Sequence, residues 1–275
     1  MTTALVVLKT GWVIVGSLRT ADGMSTSAQA GCLIVLDSMG TAVETIYGSL
    51  INGPWDMTAA DADQHVALFV TNVLNGTVAE AGKIVNQATV VRLDLAVSQK
   101  KAPWLAAITV IGSGFPARTD PAALVIGPTG VGLSPNCKQA EDPDDCVAPF
   151  GEDEPVLYVA DSLKNRITVI TDPLTRTTSA GTGKVLSHDG SLNDPLGLSV
   201  GNNGHIFVVN GNDGFVTEIT ATGAQVAKHL LDNTVAPPPA PPAPPGAGSL
   251  FGVLFDPEVG LVFVDDVSNT LNVFQ

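Results

Sequence analysis

Leu157-Tyr-Val-Ala-Asp-Ser-Leu-Lys-Asn-Arg-Ile167 is the stretch that decides the fold. Its first residues are bulky, apolar and short in run, and they end on a carboxylate followed by turn-forming Ser and Asn. An apolar run of that length bounded by turn residues reads as a strand, not as a helix. The same wording recurs as Val13-Ile-Val-Gly-Ser17, Leu68-Phe-Val-Thr-Asn72, Ile206-Phe-Val-Val-Asn210 and Val262-Phe-Val-Asp-Asp266. A second strand follows each copy, at Cys32–Asp37, Thr89–Leu95, Arg166–Thr171, Phe215–Thr220 and Thr270–Phe274.

Working outward, a further strand precedes each pair. Asn52-Gly-Pro-Trp-Asp-Met-Thr58 and Asn193-Asp-Pro-Leu-Gly-Leu-Ser199 share an Asn-x-Pro entry. Thr3–Leu8, Pro128–Ser134 and Leu250–Phe255 fill the same place. Segments such as Ala106–Ile111 and Gln225–Leu230 supply a fourth strand. Repeats of about fifty residues with up to four strands each are the mark of propeller blades, because a small sheet with two apolar faces must stack on its neighbours. Glycines in the first strand suit places where backbones approach closely. The expectation is an all-β chain, a β-propeller of four-stranded antiparallel blades, with five blades at about 1–50, 51–112, 113–188, 189–232 and 247–275. The last of them has no visible fourth strand and Met1 leads at once into a first strand, so the chain reads as an N-terminally shortened part of a six-bladed ring.

Composition agrees and excludes. The chain has 275 residues, 45% hydrophobic and 15% charged, which suits a folded domain. Its formal charge is −14, with 13 Lys and Arg spread along the sequence. Nucleic-acid readers need a basic stripe to displace counterions from phosphates, so nucleic acid is excluded as a partner, and an anionic membrane surface is disfavoured. No apolar run approaches the ~20 residues of a membrane helix, so membrane insertion is not expected.

Two segments interrupt the repeat. Residues 136–155 form an acidic insertion with Glu141, Asp142, Asp144, Asp145, Glu152, Asp153 and Glu154. Residues 236–246 read Ala-Pro-Pro-Pro-Ala-Pro-Pro-Ala-Pro-Pro-Gly, a stiff polyproline II loop between blades. Cys137 and Cys146 flank part of the acidic insertion, and no His or further Cys nearby completes a zinc set. A disulfide between them is expected, which argues for an oxidising, extracytoplasmic compartment. No signal peptide is visible: either the protein is cytosolic, or a leader is removed or not included. Cys32, in an apolar strand, reads as a buried free thiol.

The segments Gly197-Leu-Ser-Val-Gly-Asn-Asn-Gly-His-Ile-Phe-Val-Val-Asn210 and Leu157–Ile167 resemble NHL repeats. The resemblance runs over nearly the whole chain, and the set of blades resembles exported bacterial NHL-repeat proteins. It implies a fold more than a chemistry, since NHL propellers include protein-binding scaffolds, sensors, lyases and hydrolases.

Three motifs invite chemical readings and fail on context. Gly197-Leu-Ser199-Val-Gly201 matches G-x-S-x-G, but a nucleophile elbow needs a strand, a strained turn and a helix, whereas here Asn202-Asn203-Gly204 is a hairpin turn to another strand. Gly132-Leu-Ser134 repeats part of the wording in the preceding blade, which makes it repeat consensus. Gly181-Thr-Gly-Lys184 has Thr178 where a phosphate loop needs glycine. The histidines His65, His188, His205 and His229 show no metal-ligand spacing, and His65 and His205 stand at equivalent places before the second strand of their blades.

The most regular polar set is Ser17, Asn72, Asp161, Asn210 and Asp266, each ending a second strand. The plain expectation is that they bond to their own turns. The functional expectation is a ligand-binding ring at one end of the propeller. In gluconolactonase-like propellers, the resemblance implies, acidic and amide oxygens around the channel hold a metal, and Ca2+ is the cation such oxygens would take. No inner-strand Glu completes that set here. The sequence therefore reads as a non-catalytic binding or scaffold module for a protein or small-molecule ligand, with no resident cofactor. The alternative is a metal-assisted hydrolase or lyase with its site in the axial channel.

Overall fold

The computed structural model describes residues 1–62, 64–120, 123–136, 149, 154–235 and 243–275. Among these residues there is no α-helix, and short 3-10 turns accompany twenty strands. The strands form five antiparallel sheets, each following chain order. The first holds β1 (Thr2–Val7), β2 (Val13–Arg19), β3 (Gln29–Leu36) and β4 (Ala42–Ile46). The second holds β5 (Pro54–Ala62), β6 (His65–Asn72), β7 (Val85–Ala96), β8 (Trp104–Asp120) and β9 (Leu124–Ile126). The third holds β10 (Pro128–Leu133), β11 (Leu157–Asp161), β12 (Arg166–Ile170) and β13 (Lys184–His188). The fourth holds β14 (Pro195–Val200), β15 (Ile206–Asn210), β16 (Phe215–Ile219) and β17 (Gln225–Leu230). The last holds β18 (Leu250–Asp256), β19 (Gly260–Asp265) and β20 (Thr270–Phe274). These sheets are the blades of a β-propeller.

The second blade departs from expectation. β8 does not stop near 112 but runs to Asp120 and pairs with β9, so Arg118 faces Ile126 and Thr119 faces Val125. The strand continues through Gly112-Ser-Gly114 because Gly114, at φ +82°, absorbs an irregularity in the pairing with β7. The three-stranded last sheet matches the reading of its sequence.

The chain divides into two compact units, one of residues 1–131 with 173–182 and the other of 132–172 with 183–275. In the first unit, Ile14, Leu33 and Val35 of the first sheet pack against Leu68, Val70, Val91 and Leu93 of the second. Segment 173–182 belongs to this unit because Arg92 donates to the carbonyls of Pro173 and Arg176 at 3.0 and 3.1 Å. Ala180 N–H also bonds Ile111 O at 2.8 Å.

In the second unit, Tyr158, Ile167 and Val169 of the third sheet pack on Leu198, Ile206 and Val208 of the fourth. Val209 and Val216 of the fourth sheet pack in turn on Leu250, Leu261 and Phe263 of the last. Close approach explains the inner-strand glycine here. A Cβ on Gly197 would overlap the carbonyl oxygen of Phe251 in the neighbouring inner strand.

Cys32 is free, as expected, but half-buried instead of buried. It pairs with Ser17 in the register that sets Val15 opposite Ile34, and that face of the first sheet is not covered by the second. The expected Cys137–Cys146 pair lies outside the described residues, as do most of the acidic insertion and much of the Pro-rich loop.

Candidate functional site

Three of the strand-ending polar residues occupy equivalent register positions in their sheets. Ser17 pairs with Thr2, Asn72 with Pro54 and Asn210 with Pro195, each at the start of the first strand of its sheet. In the last sheet Leu250 pairs with Asp265, not Asp266, so the place expected for Asp266 is filled by its neighbour. Asp265 is buried and accepts Ser268 N–H at 3.0 Å, while Asp266 is exposed.

Two of these residues repeat one arrangement. Asn72 Oδ1 accepts the N–H of Asn52 at 2.8 Å, and Asn52 Nδ2 donates to Asn75 Oδ1 at 2.9 Å. Asn210 Oδ1 accepts the N–H of Asn193 at 3.1 Å, and Asn193 Nδ2 donates to Asp213 Oδ2 at 3.0 Å. The Asn-x-Pro entry is thus tied to the strand end by one bond and to the residue three positions on by another. Asn210 also donates to Ser191 O and Asp213 Oδ1, both at 2.9 Å. These bonds fix the loop ahead of each first strand instead of the residue's own turn alone.

Asp161 is fully buried, and its Oδ2 takes Arg166 Nε at 2.9 Å and a second guanidinium nitrogen at 2.8 Å. Burial raises the Asp161 carboxyl above its ordinary range, and Arg166 works against that rise. Arg166 pairs with the Asp161 carboxylate through Oδ2, while the buried Oδ1 has no hydrogen-bond partner among the described residues, and the amide oxygens of Asn72 and Asn210 each accept a backbone N–H. Ser17 lies half-buried opposite Cys32 on the first sheet.

A second polar system joins neighbouring sheets. Thr3 Oγ1 donates to Pro54 O at 2.7 Å, Thr71 Oγ1 to Thr129 O at 2.9 Å and Ser162 Oγ to Pro195 O at 2.6 Å. Ser199 Oγ accepts Phe255 N–H at 2.9 Å. Asp56 takes Met57 N–H on Oδ1 at 2.8 Å and Val131 N–H on Oδ2 at 2.9 Å. Its carboxyl is pushed up to about 6 by desolvation, against the two amides that lower it. In each case a side chain reaches the backbone of the next first strand, so hydroxyl and carboxylate act as staples between sheets. Asp56 sits in the quoted Asn-x-Pro segment, but nothing in its spacing marks it out.

Sequence reasoning also missed one pair. His205 Nδ1 lies 2.6 Å from Glu218 Oε1, both half-buried on the fourth sheet. Nearby, Phe207 stacks on Phe255 with centroids 5.1 Å apart. A carboxylate holding one imidazole nitrogen leaves the other to act as base or ligand, which is the chemistry such a pair can do. Ser199 shares this face through its pairing with Phe207, but its hydroxyl is committed to Phe255. His65 begins β6, exposed, opposite Ala62 and Ala96.

No family model and no curated protein matches the chain. Solved structures share its fold. A luciferin-regenerating enzyme aligns over 99% of this chain and 76% of its own, at 13% identity and a TM-score of 0.54. A gluconolactonase of Xanthomonas campestris aligns over 96% and 69%, at 14% identity and 0.53. Regucalcin of Agrobacterium tumefaciens, a calcium-binding protein, aligns over 96% and 81%, at 14% identity and 0.50. At these identities the likeness establishes the β-propeller and nothing finer.

Proposed function

We propose that the chain is a non-catalytic binding module, an exported NHL-type propeller that presents loops at its strand ends to a protein or small-molecule ligand. The observation that carries this reading is the stapling system. Ser199, the one serine in a nucleophile-like motif, receives a backbone N–H and has no base at hydrogen-bond distance among the described residues. Asp56, the carboxylate on a first strand with the most shifted acidity, holds two backbone amides. The amide oxygens of Asn72 and Asn210 likewise hold the loops ahead of first strands. Groups so engaged contribute to rigidity, which a binding platform requires of its scaffold.

A second reading, a hydrolase or lyase, rests on His205 and Glu218, and two of the structures sharing this fold bear enzyme names. One experiment separates the two. Purified protein is assayed for hydrolysis of a sugar lactone, with and without added Ca2+ and Zn2+, alongside a His205→Ala variant. The binding-module reading expects no turnover above the uncatalysed rate. Turnover abolished by His205→Ala overturns it in favour of the enzyme.

A further inference from the structure

We propose that Asn203 is a self-modification site: in the folded chain it loses its side-chain amide through a cyclic imide with Gly204, leaving aspartate or isoaspartate in the turn between β14 and β15. This goes beyond the binding-module reading and does not depend on it.

An Asn followed by Gly carries its own nucleophile. The glycine backbone nitrogen, unshielded by a side chain, attacks the Asn Cγ and gives up its proton. A C–N bond forms, the carboxamide nitrogen leaves as ammonia, and a five-membered imide remains. Water then opens the ring. Addition at Cγ restores the ordinary backbone with an aspartate side chain. Addition at the main-chain carbonyl carbon routes the backbone through the former side chain, as isoaspartate. Water is the only co-reactant, and nothing is oxidised or reduced.

The chain holds four Asn-Gly pairs, at 52–53, 75–76, 203–204 and 210–211. In three of them the carboxamide nitrogen, which must leave, is tied down. Asn52 Nδ2 donates to Asn75 Oδ1 at 2.9 Å. Asn75 Nδ2 donates to Gln87 O at 3.0 Å and to Thr89 Oγ1 at 3.2 Å. Asn210 Nδ2 donates to Ser191 O and Asp213 Oδ1, and the residue is fully buried. None of these side chains can swing onto its own backbone without breaking bonds that hold a loop in place.

Asn203 differs in each respect. It is exposed, in the turn Asn202-Asn203-Gly204, and its Nδ2 has no partner among the described residues. Its Oδ1 accepts the N–H of His205 at 3.0 Å, which folds the side chain back over the peptide that attacks it. The same N–H points at the oxygen on which negative charge gathers as Gly204 N adds to Cγ, and so stabilises that charge. Gly204 is covered and gives its N–H to Gly201 O at 2.9 Å, so attack waits on the opening of this one turn bond. Bonds at a hairpin tip open locally at little cost. Asn202 is exposed too, but the residue after it is Asn203, whose Cβ shields the nitrogen that would attack. The product adds one negative charge to the turn that leads into His205, and isoaspartate lengthens the backbone of that turn.

The test ages the folded chain in mildly alkaline buffer at body temperature, beside the same chain unfolded in guanidinium chloride. Ageing runs until the unfolded chain has converted at all four Asn-Gly pairs. Peptide mass spectrometry follows the change from amide to acid and the splitting of each peptide into aspartate and isoaspartate forms. In the folded chain, Asn203 is expected to convert about 10²-fold faster than Asn52, Asn75 and Asn210, the order that misplacing a reacting group costs. In the unfolded chain the four rates are expected to converge. Asn203→Gln has a longer side chain that cannot close the five-membered ring, and is expected to remove the acidic band that isoelectric focusing shows for the aged wild type. Asn203 still intact in the folded chain at the end of ageing overturns the proposal. So does any other Asn-Gly pair that converts as fast, or an acidic band that persists in Asn203→Gln.

Discussion

The hydroxyl of Ser199 accepts the backbone N–H of Phe255 at 2.9 Å, and this bond spans two neighbouring sheets. A motif that reads as a nucleophile is, in place, a fastener. Ser199→Ala leaves Phe255 N–H without its acceptor and is expected to destabilise by about 1–3 kcal/mol. Urea denaturation measures it. Alongside, a serine-reactive phosphonate is expected not to label the wild type. Stoichiometric labelling at Ser199 with no loss of stability in Ser199→Ala would reverse the assignment.

Asn210 separates a loop-fixing role from a ligand role. It is fully buried and uses both ends of its amide, accepting from Asn193 and donating to Ser191 O and Asp213 Oδ1. Asn210→Asp keeps an oxygen for Asn193 but loses both donors and sets a carboxylate against Asp213. A loss of about 2–3 kcal/mol is expected, and added Ca2+ is expected not to restore it. Calorimetric melts with and without Ca2+ decide the matter: recovery by the cation would return these oxygens to ligand duty.

What the sequence made legible was whatever depends on period and punctuation. Alternation with short turns placed the first three strands of all five sheets but not β4, β9 or β13, and the Asn-x-Pro entries at Asn52 and Asn193 marked where two first strands begin. Pairings between residues distant in sequence were not legible. Asp265 outranks Asp266 only because Leu250 lies opposite it, and His205 meets Glu218 only because β15 and β16 set Phe207 beside Glu218. The burial of Cys32 was misread for a related reason: an apolar strand does not reveal which of its faces a neighbour will cover. One signal was present and unused, namely the polar residue three positions beyond each strand-ending Asn, Asn75 after Asn72 and Asp213 after Asn210.

Gly197→Ala tests the close approach of first strands. The added methyl would meet Phe251 O, a backbone atom that cannot rotate away, so the two sheets must separate locally. A destabilisation of about 1–3 kcal/mol is expected. Gly40, a turn glycine with open space around it, serves as a control for strain without overlap. If Gly197→Ala melts with the wild type, the strands are not held as close as described.

Arg166 neutralises the one fully buried carboxylate of the strand-end set. Its removal leaves Asp161 charged and uncompensated, or forces it to take up a proton. Arg166→Ala is expected to cost about 3–5 kcal/mol near neutral pH. Because burial already raises the Asp161 carboxyl, the cost is expected to shrink as pH falls and protonation becomes easier. Denaturation curves for variant and wild type at neutral and mildly acidic pH check both magnitude and trend, and an unchanging difference would place the carboxylate in contact with solvent.

Asp56 gives the sharpest pH dependence. Its carboxyl titrates near 6 in the folded chain, raised by desolvation from an ordinary 3.8. The folded state therefore holds a proton on Asp56 in a range where the unfolded chain has released it. Stability from this group is fully present below the unfolded value and is lost as pH rises through about 6. The loss is on the order of 2–3 kcal/mol over that window. Asp56→Asn carries no titrating group at the position, although its amide can accept only one of the two N–H groups from Met57 and Val131 through oxygen. At low pH the variant is expected to be less stable than wild type by the bond it forgoes. Between about pH 4 and pH 7.5 the difference is expected to move in the variant's favour by most of that amount, then flatten. Urea denaturation of both proteins at several pH values reads it directly. A difference that moves the other way would mean that the amides of Met57 and Val131 outweigh desolvation, and that the carboxylate is held charged.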